Sequence, residues 1–368
     1  MIRADCDVLV VGLGPGGAAA AAGTAAAGLR VIAIDRKQEI GLPVQCAEFV
    51  PMPLSRHTTS AGVLMQRING MTSVLPSGAV VETAFTGLMV DRAAFDQALV
   101  DAARRAGAVV HAGTRLQQLD TNDHSAVIRN AGGVETQLGY RLLVAADGPH
   151  STVARLLGLP PLQTVDTRQY TVPLLRAFEE TDIWLSPDYP GGYAWLFPKK
   201  DRANLGLGMD RHLRPDMKTP LDVLHRQLVA EGRVGEAILA RTGGAIPVGG
   251  LRKVIVKDAI AFVGDAAGLT HPVTGAGIAA AVTSGEMAAA AAVDQCAGNR
   301  KALSEYADEI HEQFGDSLAR AVVRRQEMMR FWNTSSARDD AVHRRGWIAF
   351  DEYYRESLRD EVPAGMAA

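Results

Sequence analysis

An α/β fold is what this sequence predicts, with a parallel-sheet domain, an inserted antiparallel sheet and a helical C-terminal segment. Three observations predict it. The chain begins with a strand, a glycine-rich turn, a helix and a second strand. Two further apolar strands, near residues 142 and 260, each run into an acidic turn and a helix. Between these two lies a stretch of short alternating strands separated by Pro, Gly and Asp turns. Strands buried on both faces of a parallel sheet read as continuous apolar runs, whereas half-buried antiparallel strands alternate.

The first unit is the most specific. Val8 to Val11 is a β-branched run followed at once by Gly12, Gly14 and Gly17 in G-x-G-x-x-G spacing, with Pro15 and Gly16 inside it. Gly12 allows the tight turn, Gly14 lets backbone N–H groups approach a pyrophosphate, and Gly17 lets the helix pack close to the strand. The Ala-rich helix then points its free N–H groups and positive dipole end at the diphosphate. After Gly28 a second apolar strand closes on Asp35, placed to accept hydrogen bonds from a ribose diol, with Arg36 next. The ordered set predicts dinucleotide binding. Residues 8 to 29 carry no charge, yet they read as neither a signal peptide nor a span. Asp5 and Asp7 stand where a signal peptide wants positive charge, and the run holds too many glycines for a membrane helix.

Composition sets the bounds. At 368 residues there is room for two packed domains or one composite one. Hydrophobic content of 47% and charged content of 21% describe an ordinary globular protein, and a net charge of −3 points away from nucleic acid. Cys6, Cys46 and Cys296 are too far apart for a disulfide framework or a zinc pattern, which fits a reducing cytoplasm. The nine histidines show no ligand spacing, so no metal site is expected.

Further along, Gly41 to Glu48 forms a loop holding Pro43, Cys46 and Ala47. Cys46 reads as a buried apolar residue, a polarisable neighbour of a cofactor ring, or a redox thiol. Residues 61 to 85 predict short strands joined by hairpins at Ile68-Asn-Gly70 and Pro76-Ser-Gly78. Asp91 opens a helix running to Ala106. Arg92 opposes the dipole in its first turn, which suggests a phosphate or ribityl contact, or a solvated arginine. The strand at 141–146 delivers Asp147 and Gly148 to the edge where open α/β sheets bind ligands. A second such strand delivers Gly264 and Asp265, followed by Gly275, Ala276, Gly277, Ile278 and an Ala-rich helix.

From 165 to 245 the alternation predicts an antiparallel sheet. In it Tyr193, Trp195 and Phe197 fall at i, i+2 and i+4 and share one face, either packed on a helix or walling an apolar ligand. From Ala302 onward the chain is helical, with nine arginines and several aromatics between Arg320 and Arg359. That pattern suits a helix resting on anionic lipid or a solvated helix that covers the core.

Together the glycine motif with Asp35, then Arg92, Asp147-Gly148 and Gly264-Asp265, resemble flavoproteins related to p-hydroxybenzoate hydroxylase. Within that group, Pro190-Gly-Gly-Tyr193-Ala-Trp195-Leu-Phe197-Pro198 matches the P-x-x-Y-x-W-x-F-P motif of the geranylgeranyl reductase family. The loop with Pro43 and Cys46, the Asp91-Arg92-x-x-Phe95-Asp96 segment and Pro272-x-x-Gly275-x-Gly277 look like that family too, so the resemblance covers residues 5 to 295. Archaeal members have a longer C-terminal region than this chain. The resemblance implies a Rossmann-type FAD-binding domain over 1–60, 86–160 and 246–300. A substrate-binding sheet over 61–85 and 161–245 and C-terminal helices over 301–368 complete the expected division.

The resemblance also implies roles. Gly12, Gly14 and Gly17 would hold the pyrophosphate, Asp35 the AMP ribose, Arg92 and Asp265 the phosphate and ribityl region. The helix after Gly275-Ala-Gly277 would aim its N-terminus at the negative charge of reduced flavin. The implied reaction is hydride transfer from reduced flavin N5 to C=C bonds of an apolar, polyprenyl substrate. Tyr193 and Trp195 would act at the reacting centre, Tyr193, Trp195 and Phe197 would line the pocket, and Cys46 would polarise or protonate. No second glycine motif holds a resident NAD(P)H, so the donor would be transient NAD(P)H or a ferredoxin-like protein. Three alternatives share the scaffold: a thiol or lipoyl-type oxidoreductase using Cys46, a flavin monooxygenase, and a non-catalytic FAD electron carrier. The expected location is cytoplasmic, with peripheral contact at a membrane as the variant.

Overall fold

The computed structural model describes residues 2–210 and 212–355. The expectations for the C-terminal segment beyond residue 355 lie outside the described residues. A six-stranded sheet has the order Val256–Lys257, Ile260–Phe262, Leu142–Ala145, Val8–Val11, Val31–Ile34, Val109–His111, and all its strands but the first run parallel. The continuous apolar runs have the reason anticipated for them: Val8, Leu9 and Val10, and all of Leu142 to Ala145, are fully buried. Each buried Val or Leu among them contributes roughly 1.5–3 kcal/mol, which fixes these segments inside the sheet.

The helix Pro15–Ala26 lies against Ile278–Ala297, with small residues at the crossing. A Cβ on Gly285 would stand 2.1 Å from the Gly16 carbonyl, and one on Gly23 would stand 2.7 Å from Ala289 Cβ. Gly12 has φ of 99°, and a Cβ on Gly17 would stand 1.9 Å from the Gly12 carbonyl oxygen. The turn and the helix therefore share one close contact that only glycine permits.

The second sheet has nine strands among the described residues, running from Ala240–Thr242 through Thr164–Pro173, Arg202–Met209, Tyr193–Lys199, Glu180–Trp184, Leu64–Val74 and Val80–Val90 to Phe49–Pro51; Ala245–Pro247 also pairs with Thr164–Pro173. It differs from expectation in three ways. Glu180–Trp184 lies parallel to Leu64–Val74, so the sheet is mixed, the long chain between the two strands serving as the crossover a parallel pair needs. Residues 64–90 form one long hairpin rather than several short strands, because the ladder absorbs Ile68-Asn-Gly70 as a register shift between residues 68 and 70. Phe49–Pro51, Gly87–Val90 and Ala245–Pro247 hydrogen-bond within this sheet, although the divisions at 60, 85 and 245 put 49–51, 87–90 and 246–247 with the nucleotide domain.

A four-stranded sheet, Ile2–Asp5 with Glu135–Gly139, Ser125–Arg129 and Arg115–Asp120, was not foreseen. The 30-residue helix Ala302–Phe331 and the short helix Asp340–Gly346 close the chain. Next to these helices several aromatic residues turn inward while Tyr354 stays exposed: Trp347, Phe350 and Tyr353 are buried, and Trp332 donates its indole N–H to the Pro187 carbonyl at 3.1 Å. Among the described residues no helix is long and apolar enough to cross a membrane.

Candidate active site

A cavity of about 560 Å³ opens where the carboxyl ends of the parallel strands face the second sheet. One end is lined by Gly14, Pro15, Gly16, Ala146 and Gly148. Its middle is lined by Cys46, Ala47, Arg92, Gly264, Asp265 and Gly275 to Ile278, and its far wall by Tyr193, Trp195 and Phe197. Sequence positions from 14 to 348 thus meet in one space. Gly12, Gly17, Asp35, Arg36 and Asp147 do not line it. Asp35 accepts the Leu13 N–H at 2.7 Å and the Lys37 N–H at 2.8 Å, which fixes the glycine turn to the end of the second strand. Asp147 accepts the Val153 N–H at 3.0 Å, holding the turn that follows its strand. Burial pushes its carboxyl up, against the hydrogen bonds from Ser151 and Val153.

Arg92 is not solvated. Its guanidinium binds Asp96 in a two-pronged contact at 3.0 Å and lies beside Cys46. Burial alone would lower its pKa, but Asp96 and Cys46 hold it above its ordinary value. Asp265 is half-buried at the cavity wall and accepts the Thr270 hydroxyl at 2.5 Å. Burial pushes this carboxyl up while Thr270 and the Arg92 charge pull it down.

The aromatic strand is fixed from both sides. Tyr193 donates its hydroxyl to the Thr274 carbonyl at 2.5 Å, and burial together with Cys46 raises its pKa. The Trp195 indole donates to Gln169 at 3.1 Å, and Gln169 in turn donates to the Cys46 carbonyl at 3.0 Å. Phe49 stacks on Phe85 with ring centroids 5.2 Å apart and meets Phe197 edge-on at 6.3 Å. His271 accepts the Thr274 N–H at 3.2 Å on Nδ1, so its neutral ring carries the proton on Nε2, which faces the Tyr353 hydroxyl at 3.2 Å. Burial lowers its pKa to about 4. Trp347 packs on Tyr193 at 4.8 Å and closes the cavity together with Ile348.

Phe49, Phe85, Gln169, His271 and Trp347 escaped the sequence reading. Only Trp347 carried a signal, as an aromatic on a charged C-terminal segment. The other two thiols lie elsewhere: Cys6 donates to the Gly139 carbonyl at 3.6 Å, and Cys296 sits near Arg141. Cys46 therefore has no dithiol partner.

The cavity suits an FAD. A Cβ on Gly14 would meet nothing within 4 Å, which leaves the first helix turn open to a diphosphate. The helix Ile278–Ala297 begins at the cavity wall with no side-chain cap on its free N–H groups, and Arg92 stands opposite as a fixed cation.

Comparison with known proteins agrees. The chain is 34% identical over 351 residues to a digeranylgeranylglycerophospholipid reductase of Methanocella arvoryzae, covering 86% of each chain. The chain belongs to the geranylgeranyl reductase family. This reductase is also 33% identical to a second enzyme of that name from Methanopyrus kandleri, over 86% of this chain and 85% of the relative. A family model described as FAD binding domain matches residues 71–211, and one described as lycopene cyclase protein matches 216–359. The solved structure of a geranylgeranyl bacteriochlorophyll reductase-like protein from Thermoplasma acidophilum has a TM-score of 0.84 at 27% identity, covering 94% of this chain and 92% of that one. A myxobacterial chondrochloren halogenase, 19% identical with a TM-score of 0.71 over 91% and 86% of the two chains, shares the fold alone. The protein is an FAD-dependent oxidoreductase.

Proposed function

We propose that this reductase saturates isolated C=C bonds of a polyprenyl chain. The observation that carries the reading is the continuous cavity that joins the glycine turn to an apolar aromatic wall. FAD, when bound, supplies hydride chemistry at its N5. Gly14, with Pro15, Gly16 and the helix N-terminus behind it, holds the diphosphate, on a turn whose shape Gly12 and Gly17 allow. Asp35 and Arg36 serve the adenosine end, and Asp147 and Gly148 shape the turn beside it. Arg92, Gly264 and Asp265 serve the ribityl and phosphate region, next to Cys46 and Ala47. Gly275, Ala276, Gly277 and Ile278 offer backbone N–H groups where negative charge develops.

Tyr193, Trp195 and Phe197 orient the chain substrate, and Trp347 with Ile348 excludes water from it. Cys46, facing the cavity beside Arg92, delivers the proton that the second alkene carbon needs. The division of labour follows the sheets. The parallel sheet carries the nucleotide, the nine-stranded sheet carries the substrate, and the C-terminal helices cover both. Electrons come transiently from NAD(P)H or a ferredoxin-type protein, and a lipid substrate brings peripheral contact with a membrane.

The test incubates the FAD-loaded protein with a geranylgeranyl lipid and, in separate arms, dithionite, NADPH, NADH or reduced ferredoxin. A gain of two hydrogens per bond by mass spectrometry is expected in at least the dithionite arm. No gain in any arm overturns the reading.

A further inference from the structure

Behind Cys46 lies a buried ion cluster that the reaction as proposed does not use. Glu48 is 4% exposed and has φ of 73°, a left-handed conformation that a residue with a Cβ adopts only when its surroundings enforce it. Those surroundings are fully specified. The Glu48 carboxylate takes Lys199 Nζ at 2.8 and 2.9 Å, Asn204 Nδ2 at 2.7 Å and the Arg92 N–H at 2.9 Å. Lys199, itself 6% exposed, also reaches Asp91 at 3.3 Å, and Asp91 caps the helix that carries Arg92. One cluster thus ties the cysteine loop, the start of that helix and the end of the aromatic strand. With its side chain held so, Glu48 directs its main-chain N–H at Cys46 Sγ, 3.1 Å away.

We propose that Glu48 and Lys199 are a positioning pair for Cys46. Their ion pair holds the left-handed turn that presents the Glu48 N–H to the sulfur, and this contact fixes where the sulfur stands in the cavity wall. Arg92, countered by Asp96, and the Tyr193 hydroxyl are the other groups that face this sulfur. The inference rests on the proposed function only for the use made of Cys46, not for its placement.

Two variants separate positioning from charge. E48A and E48G both delete the carboxylate and leave Lys199 equally with Asp91 as its remaining partner, but glycine adopts φ of 73° without penalty and alanine does not. The readout is the iodoacetamide alkylation rate of the full-length protein against pH, assigned to Cys46 by peptide mass mapping so that Cys6 and Cys296 do not contribute. E48A is expected to raise the alkylation midpoint and slow the neutral-pH rate about fivefold, the worth of one hydrogen bond. E48G is expected to stay within about twofold of the parent. If Glu48 acted only as a nearby negative charge, both variants would shift the midpoint downward together, since a lost carboxylate favours the thiolate. That result, or two profiles identical to the parent, overturns the proposal. Should E48A fail to fold, E48Q takes its place: it also breaks the ion pair while keeping a Cβ at this φ, and the same expected and overturning outcomes apply. The readout involves no prenyl substrate, so this proposal and the alkene-reduction reading fail independently.

Discussion

Replacing Gly14 and Gly17 by alanine, one at a time, separates what the glycine turn does for the cofactor from what it does for the fold. A Cβ on Gly17 would lie 1.9 Å from the Gly12 carbonyl oxygen and 2.9 Å from Ala146 Cβ. Overpacking typically costs 1–3 kcal/mol, and the obstacle here is backbone on which the turn itself is built, so G17A should cost about 3 kcal/mol. With an unfolding entropy of about 2.1 cal/mol/K per residue, that lowers Tm by about 4 °C in a chain of this length. Gly14 is the opposite case. Its φ of −67° suits any residue, and an added Cβ meets nothing. G14A should therefore melt within about 1 °C of the parent. It should bind FAD about 10- to 100-fold more weakly, because one charge-assisted N–H contact is worth about 1.5–3 kcal/mol. The assay is scanning fluorimetry of the deflavinated proteins, with FAD titrated by flavin fluorescence. A G14A protein that holds FAD as tightly as the parent, or a G17A protein with unchanged Tm, refutes the reasoning.

Three further outcomes are expected. W195F strands Gln169 Oε1, which is buried and takes its one hydrogen bond from the indole, and should cost about 1–3 kcal/mol in urea unfolding. The neutral His271 ring gives stability that is complete above its unfolded pKa near 6.5 and is lost as pH falls toward about 4. The loss should be at most about 3 kcal/mol, and H271Q should flatten that slope in urea unfolding measured at pH values spanning this window. W347A removes a buried ring that packs on Tyr193, and should cost about 3–5 kcal/mol while speeding air oxidation of reduced flavin, read as the return of flavin absorbance in stopped flow.

What could be read beforehand was local. The strand, glycines, helix and strand near the N-terminus are set by neighbours in sequence, as is the one-sided aromatic strand at Tyr193, Trp195 and Phe197. Their partners were not legible, because the contacts span the topology. Gln169 meets the Cys46 carbonyl across 123 positions and Glu48 meets Lys199 across 151. Phe49 and Phe85 give no periodic signal, since each is the lone aromatic of its strand and joins the wall only through sheet register. The Asn-Gly at 69–70 is a turn signal by composition, yet cross-strand pairing overrules it. Arg92 was legible as an anomaly in its helix, but its pairing with Asp96 one turn later was not.

The glycine crossing between the first helix and the one at 278–297 also bears on biosynthesis. A ribosome finishes Pro15–Ala26 long before it makes Gly285, the residue whose missing side chain lets that helix dock. Until then the alanine face of the first helix has no cover, and nascent chains ending short of residue 278 should be clients of holding chaperones rather than independently folded fragments. A helix made early is thus among the last elements to reach its final surroundings.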